Sequence, residues 1–342
     1  MLRLSVLDQS TVVTGRSPDT SIRESLALAK HCEALGYHRY WCAEHHNSES
    51  QAGTAPEILI SAIAATTTRI RVGTAGVMLP HYSSLKVAEQ FRVLDAIAPG
   101  RIDLGLGRAP GSDGRTAYAL NPLAETAADH FPAQVRDLLA WVSGQKLVEG
   151  HPFRDVMAQP SGPTVPEVWI LGSSDYGAQV AAYFGLPFCF AHFITDGRGT
   201  EQAFAIYREG YRPSERWPEP HAALCVWAMA ADTPGDAARL FRSREMWRLG
   251  RDRGVYSALP SPDEAAAYQY TDVELTRIDR LRARAIYGTP DMVGAKLREL
   301  ASAHGVAEIA MLTTLHDPEA RRRSYTLIAR EFGLEGAMSL AA

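Results

Sequence analysis

The feature of this chain that most restricts its fold is the alternation of short apolar runs with helix-like stretches from one end to the other. Several runs are continuously apolar, which is typical of parallel strands covered by helices. Eight such runs, each followed by a helix, favour an α/β fold of the closed (β/α)8 or TIM-barrel type. A doubly wound open sheet stays an alternative, because alternation alone does not prove closure. The runs are residues 2–7, 38–43, 70–77, 101–107, 168–171, 188–191, 222–230 and 308–312.

Local signals mark the ends of some predicted helices. Ser21, with Glu24 three residues later, indicates a capping box at the start of the first helix. Thr233-Pro234 is a good pair for the N-cap and the first helical position, and the later Thr289-Pro290 and Asp317-Pro318 pairs are of the same kind.

Two segments are longer than ordinary loops. Residues 110–132 follow the fourth strand, and residues 254–288 lie between the seventh and eighth strands. Insertions of this length are often lids or binding loops, although some are only mobile segments. Because α/β barrels of this size usually form one unit, we expect residues 1–342 to be a single domain.

Composition excludes several classes of protein. The net charge of −4 gives no sign of a nucleic-acid or membrane surface. The start MLRLSVLDQS lacks the long apolar segment of a secretion signal, and no apolar stretch reaches 18 residues, so we expect a cytoplasmic protein. The four cysteines form no C-x-x-C pair and are expected to be buried and free, in a chain without a zinc site.

The loop after the second strand carries the most reactive side chains, Glu44, His45 and His46. Neighbouring residues of an extended chain point in opposite directions, so the two histidines are unlikely partners for one metal ion. We predict no metal site and one histidine that faces the cavity as an acid, a base or a hydrogen-bond donor. Two surface histidines without a role remain the alternative.

Small residues follow the third strand. Residues 73–80, GTAGVMLP, allow the backbone to approach a flat ligand closely, or they form a tight bend without a ligand.

The loops after the fourth and fifth strands indicate a phosphate site. Gly107 leaves room beside Arg108, whose guanidinium suits a phosphate group, unless it forms a structural ion pair. Gly172, Ser173 and Ser174 lead into a helix, whose free N–H groups attract anions, although ordinary helix capping would explain the serines equally well. We predict one phosphate group between these two loops.

Together these segments resemble the bacterial-luciferase-like family of flavin-dependent monooxygenases. The resemblance covers nearly the whole chain and rests on EHH at 44–46, VGTAGVMLP at 72–80, LD at 94–95, GR at 100–101 and GR at 107–108. LDQS at 7–10 and ILGSS at 170–174 resemble the alkanal-monooxygenase-like subgroup.

The resemblance implies FMN, bound in its reduced form at the C-terminal mouth of the barrel. His45 matches a histidine that supports the reaction of reduced flavin with oxygen, and Ala75–Gly76 matches a non-proline cis peptide under the flavin ring. Arg108 and Ser173 match phosphate-binding positions. Gly172 stands where the luminescent enzyme has a glutamate, and Gly107 stands where it has a reactive cysteine, which argues against light emission but not against flavin binding.

The expected activity is therefore a monooxygenase that takes O2, a small organic substrate and reduced FMN from a separate flavin reductase, since no nicotinamide-binding motif is visible. The alternatives are hydride transfer with a deazaflavin, a non-catalytic flavin-binding protein, and a sugar-phosphate enzyme. The last is disfavoured because no glycine-rich loop follows the seventh or eighth strand. By analogy with the family we expect a homodimer that uses the helix over residues 84–97. Asp8, Gln9 and His81 lie near predicted strand ends and are further candidates for contact with flavin or substrate.

Overall fold

The structure, a computed structural model, describes residues 2–334 and Gly336. The strands are β1 Arg3–Asp8, β2 Arg39–Cys42, β3 Arg71–Thr74, β4 Val77–Met78, β5 Ile102–Gly107, β6 Glu167–Gly172, β7 Phe188–Phe190, β8 Ala222–Ala230, β9 Ile286–Gly288 and β10 Glu308–Leu312. The helices of the first half are α1 Pro18–Leu35, α2 Pro56–Thr66, α3 Ser84–Ile97, α4 Gly114–Leu120, α5 Ala124–Asp129 and α6 Phe131–Val142. Those of the second half are α7 Asp175–Phe184, α8 His192–Thr195, α9 Thr200–Glu209, α10 Pro234–Asp252, α11 Pro262–Ala267, α12 Asp272–Arg282, α13 Pro290–His304 and α14 Pro318–Glu331.

The strands close into a barrel. All pairings between them are parallel, and β10 completes the circle by pairing with both β1 and β8. Two short strands are additions to the eight: β4 pairs with β5, and β9 pairs with β8. The predicted (β/α)8 barrel is confirmed, and the open sheet is excluded.

The barrel has two apolar layers, which explains why its strands are continuously apolar. In β8, Cys225 and Trp227 belong to a cluster inside the barrel, whereas Leu224 and Val226 belong to the core between strands and helices. Both faces of the strand are thus removed from water, as expected of parallel sheets.

Three of the four predicted helix starts are confirmed, and the fourth is wrong. α10, α13 and α14 begin at the predicted pairs, and the Thr233 side chain accepts a hydrogen bond from the Asp236 N–H. The capping box at Ser21 is wrong. α1 begins at Pro18, one turn earlier, and the Ser21 hydroxyl donates to the Thr11 carbonyl at 2.9 Å.

The two insertions are more regular than the sequence indicated. Residues 110–132 contain α4, α5 and the start of α6, and residues 254–288 contain α11, α12 and β9. Both α11 and α12 start with capping boxes, formed by Ser261 with Glu264 and by Thr271 with Glu274. Because β9 pairs with β8, the last residues of the second insertion are attached to the barrel.

A buried ion cluster fills the N-terminal end of the barrel. Arg39 contacts Asp103 at 2.9 Å, Glu167 at 3.1 Å and Glu308 at 2.9 Å, and its side chain is only 3% exposed. The indole N–H of Trp41 donates to Asp103 at 2.9 Å in the next layer. These side chains therefore fill the N-terminal end of the barrel. Over the described part of the chain, no helix is both long and apolar enough to cross a membrane.

Candidate active site

A pocket of roughly 250 Å³ opens at the C-terminal end of the barrel, where the loops after β2, β3, β5, β6 and β7 meet. We call it the mouth pocket. Its walls include apolar side chains from the barrel interior, such as Leu7, Trp41 and Leu171. The structure brings all eight predicted site residues together in its lining: His45, Ala75, Gly76, Gly107, Arg108, Gly172, Ser173 and Ser174.

His45 is the polar side chain that the loop after β2 presents to the mouth pocket. Its N–H donates to the Gly53 carbonyl at 2.8 Å, which fixes the backbone. The ring nitrogen Nδ1 is buried, and no described residue forms a hydrogen bond with either ring nitrogen. Burial, with a further contribution from the charge of Arg251, lowers the pKa of His45 to about 4. The imidazole is therefore neutral near pH 7 and has both nitrogens available to a ligand.

The neighbouring residues Glu44 and His46 have structural contacts instead. Glu44 accepts hydrogen bonds from the Tyr82 hydroxyl at 2.6 Å and from the Met78 N–H at 3.0 Å. His46 lies 2.8 Å from the same carboxylate and is absent from the pocket lining. Glu44 thus ties the His45 loop to β4, and the two histidines point to different surroundings, as the extended backbone predicted.

The Ala75–Gly76 peptide, which separates β3 from β4, is cis, which confirms that expectation. The glycines around it have a reason besides a ligand. A Cβ atom at Gly73 would lie 2.3 Å from the Asp103 carbonyl oxygen, and one at Gly105 would lie 2.1 Å from that of Thr74. Close contact between β3 and β5 therefore already requires glycine at these two positions.

Arg108 is available to an anion. No described residue forms an ion pair with it, so the structural ion pair considered from the sequence is not formed. Its guanidinium carbon lies 4.1 Å from the centre of the Tyr176 ring, in the first turn of α7. This cation–π contact holds Arg108 beside the α7 N-terminus.

Ser173 and Ser174 precede α7 without capping it. Ser174 occupies the N-cap position, but its side chain forms no capping hydrogen bond. Neither hydroxyl has a hydrogen-bond partner within residues 2–334. The first N–H groups of α7 and both hydroxyls are thus free to bind an anion near Arg108.

The three further candidates for contact with flavin or substrate, Asp8, Gln9 and His81, do not all lie at the mouth pocket. Gln9 lines the mouth pocket. Asp8 lies beneath it and is bound by Arg321 at 2.8 Å, and His81 contacts the Pro110 carbonyl at 2.8 Å; neither residue lines the mouth pocket. Tyr176 and Phe193 also line the mouth pocket and were not predicted, because no local pattern marks an aromatic residue that reaches a distant loop.

Comparison with known proteins places this geometry in a family. The model of the family described as luciferase-like monooxygenase matches residues 2–307. An Escherichia coli protein named luciferase-like monooxygenase is 38% identical, over 95% of this chain and 96% of its own length. The N-acetyl-S-alkylcysteine monooxygenase of Bacillus subtilis is 34% identical, over 96% of this chain and 98% of its own length.

Several solved structures share the fold of this chain. Apo-MsnO8 superposes with a TM-score of 0.89 at 37% identity, covering 98% of this chain and 99% of its own. The same fold, at 18% identity and a TM-score of 0.70, occurs in the oxygenating constituent of 3,6-diketocamphane monooxygenase from Pseudomonas putida, in complex with FMN, with 96% of this chain and 97% of that chain covered. An F420-dependent secondary alcohol dehydrogenase shares the fold at 14% identity and a TM-score of 0.63, over 96% and 99% of the two chains. The chain belongs to the luciferase-like monooxygenase family.

Proposed function

We propose that this protein is a flavin-dependent monooxygenase that binds reduced FMN in the mouth pocket and uses O2 to oxygenate a small organic substrate. The observation that carries the proposal is the pairing, in one pocket, of an unpartnered neutral histidine with a free anion site. His45 supplies the first, and Arg108 with Ser173 and Ser174 supplies the second.

The residues present fit reduced FMN. The phosphate would be held by Arg108, the Ser173 and Ser174 hydroxyls and the first N–H groups of α7. Neither the Arg108 side chain nor the two hydroxyls form a hydrogen bond or ion pair with another described residue. The apolar side chains of Leu7, Trp41 and Leu171 suit a flat ring. Reduced FMN supplies the electrons that activate O2. We infer that it arrives from a separate flavin reductase, because no nicotinamide-binding motif is present in the sequence.

His45 would act as a neutral acid–base group. Because its pKa lies near 4, the ring carries no positive charge at pH 7 and can donate a hydrogen bond from one nitrogen while accepting at the other. Trp41 and Leu7 line the same pocket, and apolar walls of this kind strengthen a hydrogen bond once a ligand fills the pocket.

The test is an anaerobic titration with reduced FMN, followed by O2 and a panel of small substrates. The variant Arg108→Gln should bind reduced FMN about tenfold or more weakly, since a charge-assisted phosphate contact is lost. Arg115→Gln is the matched control, because Arg115 is an exposed arginine of α4 whose side chain has no partner among the described residues. Equal affinity in the wild type and R108Q would contradict the phosphate site.

The same titration separates the alternatives. Tighter binding of reduced F420 than of reduced FMN would favour hydride transfer by a deazaflavin, the cofactor named for the secondary alcohol dehydrogenase of the same fold. Oxygen uptake without any oxygenated product would favour a flavin-binding protein. S-alkylcysteine derivatives belong in the substrate panel because of the Bacillus subtilis relative.

We also propose a homodimer formed through α2 and α3. Ile58 of α2 is 70% exposed, and Val93 and Ile97 of α3 are 48% and 46% exposed, on adjoining helices that border one groove. An apolar patch of this kind is typical of a contact with another chain. Ile58→Lys should shift the mass measured by light scattering from dimer to monomer, whereas Val273→Lys, at a 65% exposed position of α12, should not. The proposed site of action is the cytoplasm, and the four cysteines are buried and free as expected.

A further inference from the structure

Besides Arg108 at the mouth pocket, a row of three arginines lies on α10. Arg244, Arg248 and Arg251 follow one another at spacings of four and three residues, which places them along one side of the helix. Arg248 has a partner, Asp196, at 3.4 Å. The charge of Arg251 reaches His45 and contributes to its lowered pKa.

Arg244 is the buried member of this row and is only 6% exposed. Its guanidinium carbon lies 4.1 Å from the centre of the Trp227 ring. That ring is fixed in turn, because its indole N–H donates to the Thr314 hydroxyl at 3.0 Å. The planar group of Arg244 is therefore held against a rigid surface.

Arg244 has no acceptor for its N–H groups. Throughout residues 2–334 no side chain or carbonyl accepts a hydrogen bond from it, no carboxylate forms an ion pair with it, and its Nε is fully buried. Burial, together with the charges of Arg248 and Arg251, lowers the pKa of Arg244 well below its usual range. A buried cation without a partner is among the most unfavourable arrangements in a protein. Such a group calls for an anion from outside the chain.

The space for that anion is present. A cavity of about 30 Å³ is lined by Arg244, Trp227, His192 and Phe193, and also by Arg284 and by Asp196, whose carboxylate pairs with Arg248. This volume accommodates a water molecule or a group of similar size, such as a carboxylate. Phe193 also lines the mouth pocket, so the two spaces are adjacent.

We propose that Arg244 binds the carboxylate of the organic substrate and that the rest of this substrate extends past Phe193 into the mouth pocket. The substrate class is thus an organic acid with an apolar segment. The inference rests on the proposed function. The fixed guanidinium offers two parallel N–H groups to a carboxylate, and Trp227 and Phe193 form apolar walls around it.

The proposed phosphate site of FMN is separate from this one. Arg108 follows β5 and lies against α7, whereas Arg244 packs on Trp227 of β8. The flavin phosphate and the substrate carboxylate would therefore enter different parts of the barrel rim.

The test is calorimetric titration of the whole protein with hexanoate, with the neutral hexanamide, and with chloride. Hexanoate should bind the wild type at least tenfold more tightly than hexanamide. Arg244→Gln should abolish that preference, and Arg242→Gln should keep it, because Arg242 is an exposed arginine of the same helix and its loss changes the net charge equally. If R244Q does not fold, Arg244→Met replaces it, since the apolar side chain keeps the packing on Trp227.

Thermal unfolding gives an independent measurement. Without ligand, R244Q should melt at a higher temperature than the wild type, because the variant removes an unpaired buried charge. Hexanoate should raise the melting temperature of the wild type and leave that of R244Q unchanged. A site in R244Q that still prefers hexanoate would overturn the proposal. So would a chloride effect equal to that of hexanoate, which would indicate a site for an inorganic anion.

Flavin binding distinguishes this inference from the proposed function. R244Q should bind reduced FMN as tightly as the wild type. A wild type that binds reduced FMN but shows no preference for hexanoate overturns the carboxylate site alone. A wild type that prefers hexanoate through Arg244 but does not bind reduced FMN overturns the proposed function alone.

Discussion

The polar side chains at the two ends of the barrel interior differ in whether they have partners within the chain. At the N-terminal end, Arg39 is surrounded by three carboxylates, and the cluster is buried. At the C-terminal end, the side chains of His45 and Arg108 have no hydrogen-bond or ion-pair partner among the described residues. Polar groups that serve the fold are satisfied within the chain, whereas groups left unsatisfied are available to a ligand. The difference therefore separates residues that stabilise the barrel from the residues that we propose bind its ligands.

Arg39→Ala should have the largest effect on stability. The variant leaves Glu308 buried without an arginine, while Asp103 and Glu167 keep Arg71 as their only arginine, so the free energy of unfolding should fall by about 3–5 kcal/mol. Urea denaturation followed by tryptophan fluorescence measures this. Arg3→Ala is the control at the same end of the barrel, because Arg3 is exposed and its side chain has no partner in the described chain. A similar loss in both variants would show that the cluster contributes nothing special.

His45→Ala should leave the fold nearly unchanged and impair the reaction. Removing the proposed acid–base group should lower the rate of coupled substrate oxygenation about a hundredfold. Affinity for reduced FMN should stay the same, because the proposed phosphate contacts lie on other loops. His45→Gln, which keeps a hydrogen-bonding group, should recover part of the rate. Normal oxygenation by H45A would remove His45 from the mechanism.

Stability should depend on pH in two separate ranges, an upper one for His45 at the C-terminal end of the barrel and a lower one for Glu308 at the N-terminal end. Below its usual pKa of 6.5 the unfolded state protonates His45, whereas the folded state resists until about pH 4, so stability declines between these values. Burial opposes the charge of Glu308, but His221 and Arg39 hold its pKa at about 2, so its contribution is complete above pH 4.5 and is lost toward pH 2.

The pKa values of His31, His38, His192 and His304 are also lowered by burial, so H45A should keep part of the upper decline and be about 2 kcal/mol less sensitive to a change from pH 7.5 to 5. Glu308→Gln should alter the lower window only. Urea denaturation at intervals of half a pH unit would reveal this, and an unchanged upper decline in H45A would contradict the buried, neutral state of the ring.

The smallest effect concerns two helix N-termini. Thr233 caps α10 through its side chain, so Thr233→Ala should cost about 1 kcal/mol. Ser174 sits at the N-cap of α7 without a capping hydrogen bond, so Ser174→Ala should change stability by only a few tenths of a kcal/mol and weaken the binding of reduced FMN severalfold. Parallel urea and flavin titrations measure both. Equal stability losses would show that Ser174 is an ordinary cap.

Much of the barrel follows from local pattern. The apolar runs correspond to the eight barrel strands, because burial on both faces leaves a continuous signal in the sequence. The error at the first helix is instructive. Ser21 and Glu24 have the spacing of a capping box, but Pro18 begins the helix and the Ser21 hydroxyl binds the Thr11 carbonyl. A local motif was outweighed by a contact with a neighbouring segment.

The candidate site was predictable only where a residue follows a strand directly. His45 and Arg108 satisfy that rule and line the mouth pocket. Tyr176 and Arg244 do not, because their positions depend on packing between elements distant in sequence. The regular structure of the insertions was also missed, although Ser261 and Thr271 carry the same capping signal that misled at Ser21.

The ion cluster at the N-terminal end of the barrel also determines the side from which a ligand can enter. Since Arg39 and its carboxylates fill one end, a ligand of the mouth pocket has to enter and leave at the other end. Of two ligands bound one above the other, the deeper one has to enter first and leave last. Phe131 of the first insertion lines that opening, and β9 of the second insertion pairs with the C-terminal end of β8, so changes in these two segments should alter which compounds enter without disturbing the ion cluster at the opposite end.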